Sequence, residues 1–194
     1  MITIRSTNTI RVLLAFCILW LGTACSPQVS TPSDKHIVPH LDELVKAVSS
    51  GSTEDLLAIV HFSSLPCTRK DGLGGPPKCL PTEREGTLVD VLPVLGSEGG
   101  HIRRSEFSSW FGPLAGVGVP QLYAAFRTPK STYSDEFFPA GEFGVAFLLL
   151  DKANVVVFQV TEEGIVRVDY PALSSYDEIL KDKEVILGPY PPPK

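Results

Sequence analysis

Cysteine and histidine carry most covalent and metal chemistry, and the chain has few of either: four cysteines and four histidines in 194 residues. Cys67 and Cys79 stand twelve positions apart. That spacing is neither the short C-x-x-C-type pair of a zinc site nor a C-x-x-C redox pair. His36 and His40 have the four-residue spacing of a helical chelate, but Pro39 between them disfavours a helix, so both read as solvated. His61 and His101 are the imidazoles left for chemistry inside a domain. Gly72, Gly74 and Gly75 would suit a phosphate cradle only if Gly-Lys-Ser/Thr and a helix followed, and Pro76-Pro77 follow instead. Asp71 lacks the alternating oxygen ligands of a calcium loop. No catalytic residue, metal ligand set or cofactor is expected from these patterns. A pocket acid such as Asp90 or Glu142 beside His101 is the combination left open, and nothing in the spacing singles it out.

What positions these side chains depends first on the compartment. Residues 1–11 carry Arg5 and Arg11 and no acid, Val12–Leu21 is apolar, and small residues follow at Gly22-Thr23-Ala24. Those are the three parts of a secretory signal peptide, and the apolar run falls well short of the roughly 20 residues a spanning helix needs. Leu21-Gly22-Thr23-Ala24-Cys25 resembles a bacterial lipobox, as found in exported lipoproteins of uncharacterised function. It departs from the family at Gly22, where a leucine is usual, with Leu21 one place early. The resemblance implies cleavage after Ala24 and a diacylglycerol on Cys25. Acyl chains contribute about 0.8 kcal/mol per buried CH₂, so a lipidated Cys25 would hold the chain on a membrane from the extracytoplasmic side of the cell envelope.

With Cys17 removed in the leader and Cys25 acylated, Cys67 and Cys79 remain. In an oxidising exterior an even remainder reads as a disulfide, with a metal site or a reactive thiol pair as alternatives. Loss of Arg5 and Arg11 leaves 22 acidic against 15 basic residues, a net charge of −7. With no run of Lys and Arg longer than two, this argues against nucleic acid as a partner and against a polybasic membrane face.

The expected organisation is a signal peptide at 1–24, a lipidated cysteine and flexible tether at 25–40, one domain at 41–187 and a proline-rich tail at 188–194. The tether is marked by Pro27, Pro32 and Pro39. Leu41, Leu44, Val45 and Val48 predict a short helix, Gly51 its end, and Ser52-Thr53-Glu54-Asp55 the start of a second. Residues 63–86 look irregular. Thr87–Leu95 reads as a strand that Pro93 confines to an edge or ends. Ser105–Phe111 reads as a helical turn and 112–118 as flexible. Runs at 119–127, 142–150, 155–161 and 165–170 are β-rich with hairpin-length gaps between the last three, which predicts an antiparallel meander. The first of those three should be covered on both faces, whereas Gln159, Arg167 and Asp169 should occupy a solvated face. Leu173–Asp182 is expected to be a surface helix.

The expected fold class is α+β: two short N-terminal helices packed on a curved antiparallel sheet of about four to five strands, with a β-sandwich bearing peripheral helices as the alternative. The order of elements is similar to the nuclear transport factor 2 superfamily, which implies a pocket between helices and sheet. The functional expectation is a non-catalytic binding module with an unknown protein or small-molecule ligand; the alternative is a small extracytoplasmic enzyme. Candidate contacts are Arg69, Lys70 and Asp71 in the loop between the cysteines, together with Trp110, for which packing in the core is the other reading. The loop containing Tyr133, Phe137 and Phe138 is a further candidate surface.

Overall fold

The computed structural model describes residues 37–116, 120–149, 154–172 and 176–190. The expected leader, Cys25 and most of the expected tether lie outside them. The chain divides into two units, Met1–Thr31 and Pro32–Lys194, and every element named below belongs to the second. No helix among the described residues is long and apolar enough to cross a membrane.

Helix α1 (Leu41–Ser50) turns Leu41, Leu44, Ala47 and Val48 inward and stops at Gly51, whose φ of 66° is the left-handed conformation glycine adopts without a Cβ penalty. Ser52 then caps α2 (Thr53–Ala58), its hydroxyl accepting the Asp55 N–H at 3.1 Å. Both helices match the sequence pattern. A third, α3 (Phe107–Gly116), follows a 3₁₀ turn at Arg104–Glu106 and continues through Gly112, where a flexible segment was expected.

The sheet corrects the expected fold class. All eight strands belong to one mixed sheet, and the molecule is mostly sheet with three short α-helices among the described residues, not helices on four or five strands. The strands are β1 (Ser63–Pro66), β2 (Leu88–Leu95), β3 (Gly100–Arg103), β4 (Gln121–Arg127), β5 (Phe143–Leu148), β6 (Val155–Thr161), β7 (Gly164–Asp169) and β8 (Glu184–Leu187). Their order is β1-β2-β7-β6-β5-β4-β8, with β3 also on β2. The predicted meander is β4–β7, antiparallel throughout. The three strands not foreseen are four residues each. β1 and β3 carry one large aliphatic residue apiece, Leu65 and Ile102, too few for an alternating pattern.

Pro93 sits inside β2, not at a sheet edge. Val91 pairs with both Ser63 and Arg103, and Val94 with both Gly100 and Val168. So β1 and β7 share one edge of β2 in succession, and β3 takes the other. Pro93, which cannot donate to a ladder, falls between the last β1 partner and the first β7 partner. The β2–β7 pairing is parallel. Gly164, at φ 126°, opens β7 and lets the carbonyl of Ile59 approach, accepting the Ile165 N–H at 2.8 Å.

One face of the meander shares an apolar layer with the helices: Val145, Phe147, Phe158, Val160, Ile165 and Val168 with Leu44, Val48, Leu56, Phe107 and Phe111. A fully buried aliphatic or phenyl side chain contributes about 1.5–3 kcal/mol relative to an exposed one. The opposite face begins with Tyr123, Phe126, Leu148, Val155 and Val157, covered by Ile179 and Leu180 of a 3₁₀ turn at Tyr176–Leu180. That turn replaces the expected surface helix, and its Ile179 is buried.

Further along this second face the expected solvated stripe is closed. Arg167 is 0% exposed and Gln159 3%. The Arg167 guanidinium donates to Asp169 through Nε (2.6 Å) and Nη2 (3.1 Å), and through Nη1 to the carbonyls of Tyr133 (2.9 Å) and Phe138 (2.8 Å). Gln159 donates to Asp169 at 2.7 Å and accepts from Thr128 Oγ1 and Gly141 N–H. A buried charge persists only when paired and hydrogen-bonded, and the loop from Thr128 to Gly141 supplies the missing partners.

Candidate functional site

The segment from Thr68 to Lys78 is an arch with a tied base and a free tip. Cys67 and Cys79 form a disulfide. Beside it, Thr68 N–H donates to Pro77 O at 2.8 Å and Cys79 N–H to Thr68 O at 2.9 Å. Under the disulfide, Cys67 packs with Val89 and Val91 of β2. Two carboxylates complete the base. Glu85 accepts from Thr68 Oγ1 (2.7 Å) and the Arg69 N–H (2.5 Å). Glu83 accepts both Nη atoms of Arg103 on β3 (2.8 and 2.7 Å) and the Leu80 N–H (2.7 Å). The Thr68 hydroxyl bonded to Glu85 and the Arg103 guanidinium bonded to Glu83 each hold their carboxyl below the usual carboxylate range.

At the tip, among the described residues, no main-chain hydrogen bond ties positions 71–76. Leu73 there is 76% exposed. Gly72, Gly74 and Gly75 all have positive φ, and open space surrounds each of them. The tip leans on the β2–β3 turn: a Cβ at Gly99 would lie 3.8 Å from Gly74 Cα and 3.2 Å from the Phe138 ring.

Clefts open on both sides of this arch. One, about 390 Å³, lies between its tip and β3 and is lined by Leu73, Lys78, His101, Arg103, Glu106 and Phe138 among others. The other, about 520 Å³, lies towards Pro66, Thr68, Glu85 and Gly86. In the first cleft the half-buried His101 ring lies 4.9 Å from that of Phe138, and its Nε2 is 3.2 Å from Phe137 O. A carbonyl can only accept, so Nε2 carries the proton and Nδ1 is the acceptor. Burial pushes the imidazole down, towards the neutral form. Phe138 therefore has two roles: its carbonyl caps Arg167, and its ring walls the cleft.

Of the residues singled out in the sequence, Arg69, Lys70 and Asp71 are exposed on the arch. Arg69 is committed to the base through Glu83 O at 2.5 Å. Lys70 offers its carbonyl to Lys78 Nζ at 2.6 Å. Trp110 belongs elsewhere. It is half-buried in the helical layer, against Phe107, Phe111 and Tyr170 at 5.7–6.5 Å between centroids. Asp90 faces Arg104 on the surface and Glu142 is exposed, so neither forms a pair with His101 among the described residues. Cys67, Cys79 and Glu83 cluster within 4.8 Å, but the disulfide takes both sulfurs out of metal ligation. Arg103, Glu83 and Glu85 were not foreseen as site residues. Their contacts with the arch span 14 or more positions in the chain, and no local pattern encodes them.

No protein-family model matches the chain, and neither a curated protein nor a solved structure matches it.

Proposed function

We propose that the chain is a lipid-anchored extracytoplasmic binding module, held in the cell envelope through Cys25, whose recognition surface is the disulfide-tied arch. The observation that carries this reading is the contrast within the arch. Its base is fixed to a sheet by a disulfide and two carboxylates, and its tip is left open between two clefts. Contact loops on a rigid scaffold are the common arrangement for recognition. The ligand class left open is a protein or a small molecule. An acidic chain with no basic cluster does not favour nucleic acid. The layer between helices and sheet, where the alternative enzyme reading places its pocket, is packed with apolar side chains among the described residues.

The test has two arms. Mass spectrometry of the chain extracted from its own envelope should give a mature N-terminus at Cys25 carrying acyl groups; a chain beginning at Met1 would sink the anchor. A photo-crosslinker at Leu73 should capture one partner in the envelope. That capture should persist when His61, His101 and Asp90 are replaced together and vanish when Gly72, Gly74 and Gly75 are all replaced by Ala, since their left-handed φ angles strain a residue with a Cβ and the tip that carries the crosslinker is then deformed. Loss with the His61, His101 and Asp90 replacement and retention with the glycine replacement would overturn the binding surface and favour chemistry at His101.

A further inference from the structure

On the sheet face opposite the helices, well away in the chain from the arch, Lys183 lines a small cavity of about 110 Å³ together with Phe126, Thr128, Val157, Gln159 and Asp169. That is far below the ~300–1,000 Å³ of sites that enclose drug-sized ligands, so an occupant has only a few heavy atoms. Lys183 is placed by the turn before β8. Asp182 has φ 59°, and the Lys183 N–H donates to Leu180 O at 3.2 Å. The ammonium lies 4.3 Å from the Phe126 ring centroid. An ammonium has three donors, and a ring face satisfies none of them as a hydrogen-bond acceptor would. Among the described residues Lys183 Nζ has no hydrogen bond or ion pair.

Of the polar residues in the lining, Asp169, Gln159 and Thr128 are already engaged with one another or with Arg167. Asp169 is the one acid in the lining, and its oxygens accept from Arg167 and Gln159. Thr128 donates to Gln159. Arg167 and Asp169 cancel each other's charge, so Lys183 leaves the site one positive charge in excess. Half-burial of a donor without an acceptor is unfavourable. Burial pushes the ammonium down and Asp169 only partly opposes it. Apart from Thr132, the rest of the wall is apolar: Phe126, Pro129, Val157, Pro171 and Ile179.

We infer that this cavity binds a small monocarboxylate, its carboxylate on the Lys183 ammonium and its alkyl end against Phe126, Val157 and Ile179. One negative charge balances the site, two carboxylate oxygens supply the missing acceptors, and a short alkyl group fits the apolar wall. A larger acid is excluded by volume. A dianion such as phosphate would leave a charge uncompensated beside Asp169.

The experiment titrates the full mature chain with sodium propionate at pH 7, with sodium chloride keeping ionic strength constant. Side-chain NMR of the lysine methylenes is the readout. The expected result is a saturable shift at Lys183 with none at neighbouring Lys181, and an affinity, read in both proteins from the Val157 and Ile179 methyls of the wall, reduced at least tenfold in Lys183→Met, which keeps the stem over Phe126. Propionate should bind more tightly than formate, since the alkyl end is part of the site. A linear response without saturation would mean that water alone solvates the ammonium, and would overturn the proposal. So would equal competition by chloride or phosphate, which would make the site a general anion contact. If Lys183→Met does not fold, the wild-type titration still decides, because saturation confined to Lys183 requires the cavity. The arch can fail as a recognition surface without affecting this result, and the reverse holds too.

Discussion

On the helical face of the meander, Val145, Phe147, Phe158 and Ile165 share a layer with Leu44, Leu56 and Phe111. On the opposite face of the same strands, Arg167, Asp169 and Gln159 meet the carbonyls of Tyr133 and Phe138 and the groups of Thr128 and Gly141. Both faces are largely buried, by different means. The apolar layer is non-directional and tolerates exchange of one shape for another. The polar network is directional, and every member depends on its partners. The network is also what fixes the 133–138 loop, whose Phe138 ring forms a wall of the cleft under the arch. The helical face thus supplies stability to the fold, and the polar face supplies position to the candidate site.

The largest effect that would break this comparison is Arg167→Met. Removing one partner of a buried pair costs about 3–5 kcal/mol, and the carbonyls of Tyr133 and Phe138 lose their donor. Urea denaturation should show that loss, and changing Asp169 to Leu in the same chain should recover much of it. Leu44→Ala on the helical face should cost about 2–5 kcal/mol, with no charge change elsewhere able to restore it. If Arg167→Met cost under about 1 kcal/mol, the pair would be behaving as an exposed one.

Next in size is the arch. Replacing Cys67 and Cys79 together by Ser should cost up to about 3 kcal/mol by the chain-entropy estimate. Glu83 and Glu85 keep the base closed without the disulfide, so crosslinking at Leu73 should weaken without disappearing. Complete loss of the arch, seen as free exchange of the Thr68 and Cys79 amides, would show that the carboxylates are secondary.

The two faces also differ in how far the sequence discloses them. The helical stripe of Leu41, Leu44 and Val48 and the alternation in β5 are local patterns, and they place the apolar layer correctly. Arg167 and Asp169 obey the same alternation, which puts them on the side away from the helices as expected. Alternation says nothing about what covers that side. The cover is a loop some 30 positions earlier in the chain, so a buried network looks like a solvated stripe. The Cys67–Cys79 pairing was legible from cysteine arithmetic, while the Glu83–Arg103 clamp was not, because its partners sit 20 positions apart. Trp110 was open to two readings, contact residue or core residue, and it takes the second, half-buried in the helical layer.

A smaller change would sharpen the role of Phe138. Gly99 has φ 69°, and a Cβ there would press on the Phe138 ring at 3.2 Å. Left-handed backbone costs a residue with a Cβ about 1–2 kcal/mol. Gly99→Ala should lose roughly that much in urea and displace the ring, read as shifted His101 and Phe138 resonances. Gly100→Ala, where nothing lies within 4 Å, is the control and should leave those resonances in place.

The smallest effect in global stability, and the most specific to the arch, is its response to acid. Glu83 and Glu85 have folded-state pKa values below their ordinary 4.5, the first through Arg103 and the second through Thr68. A depressed carboxyl stabilises the folded state above the unfolded pKa, and that contribution disappears as pH falls through the folded value. His101 acts with the same sign: burial lowers its pKa, so below the ordinary imidazole value the unfolded chain takes up the proton first. Acidification from pH 7 should therefore loosen the arch before the meander, whose helical face has no carboxyl or imidazole in its apolar layer among the described residues. Amide exchange resolved by residue would show this as protection lost at Thr68 and Cys79 while Val145 and Phe158 remain protected. Glu85→Gln should reduce the acid response at Thr68, because the amide keeps an acceptor for its hydroxyl but no longer titrates. If arch and meander amides lost protection together in wild type, the two would be one cooperative unit, and the division between a tied base and a separately stabilised sheet would not hold.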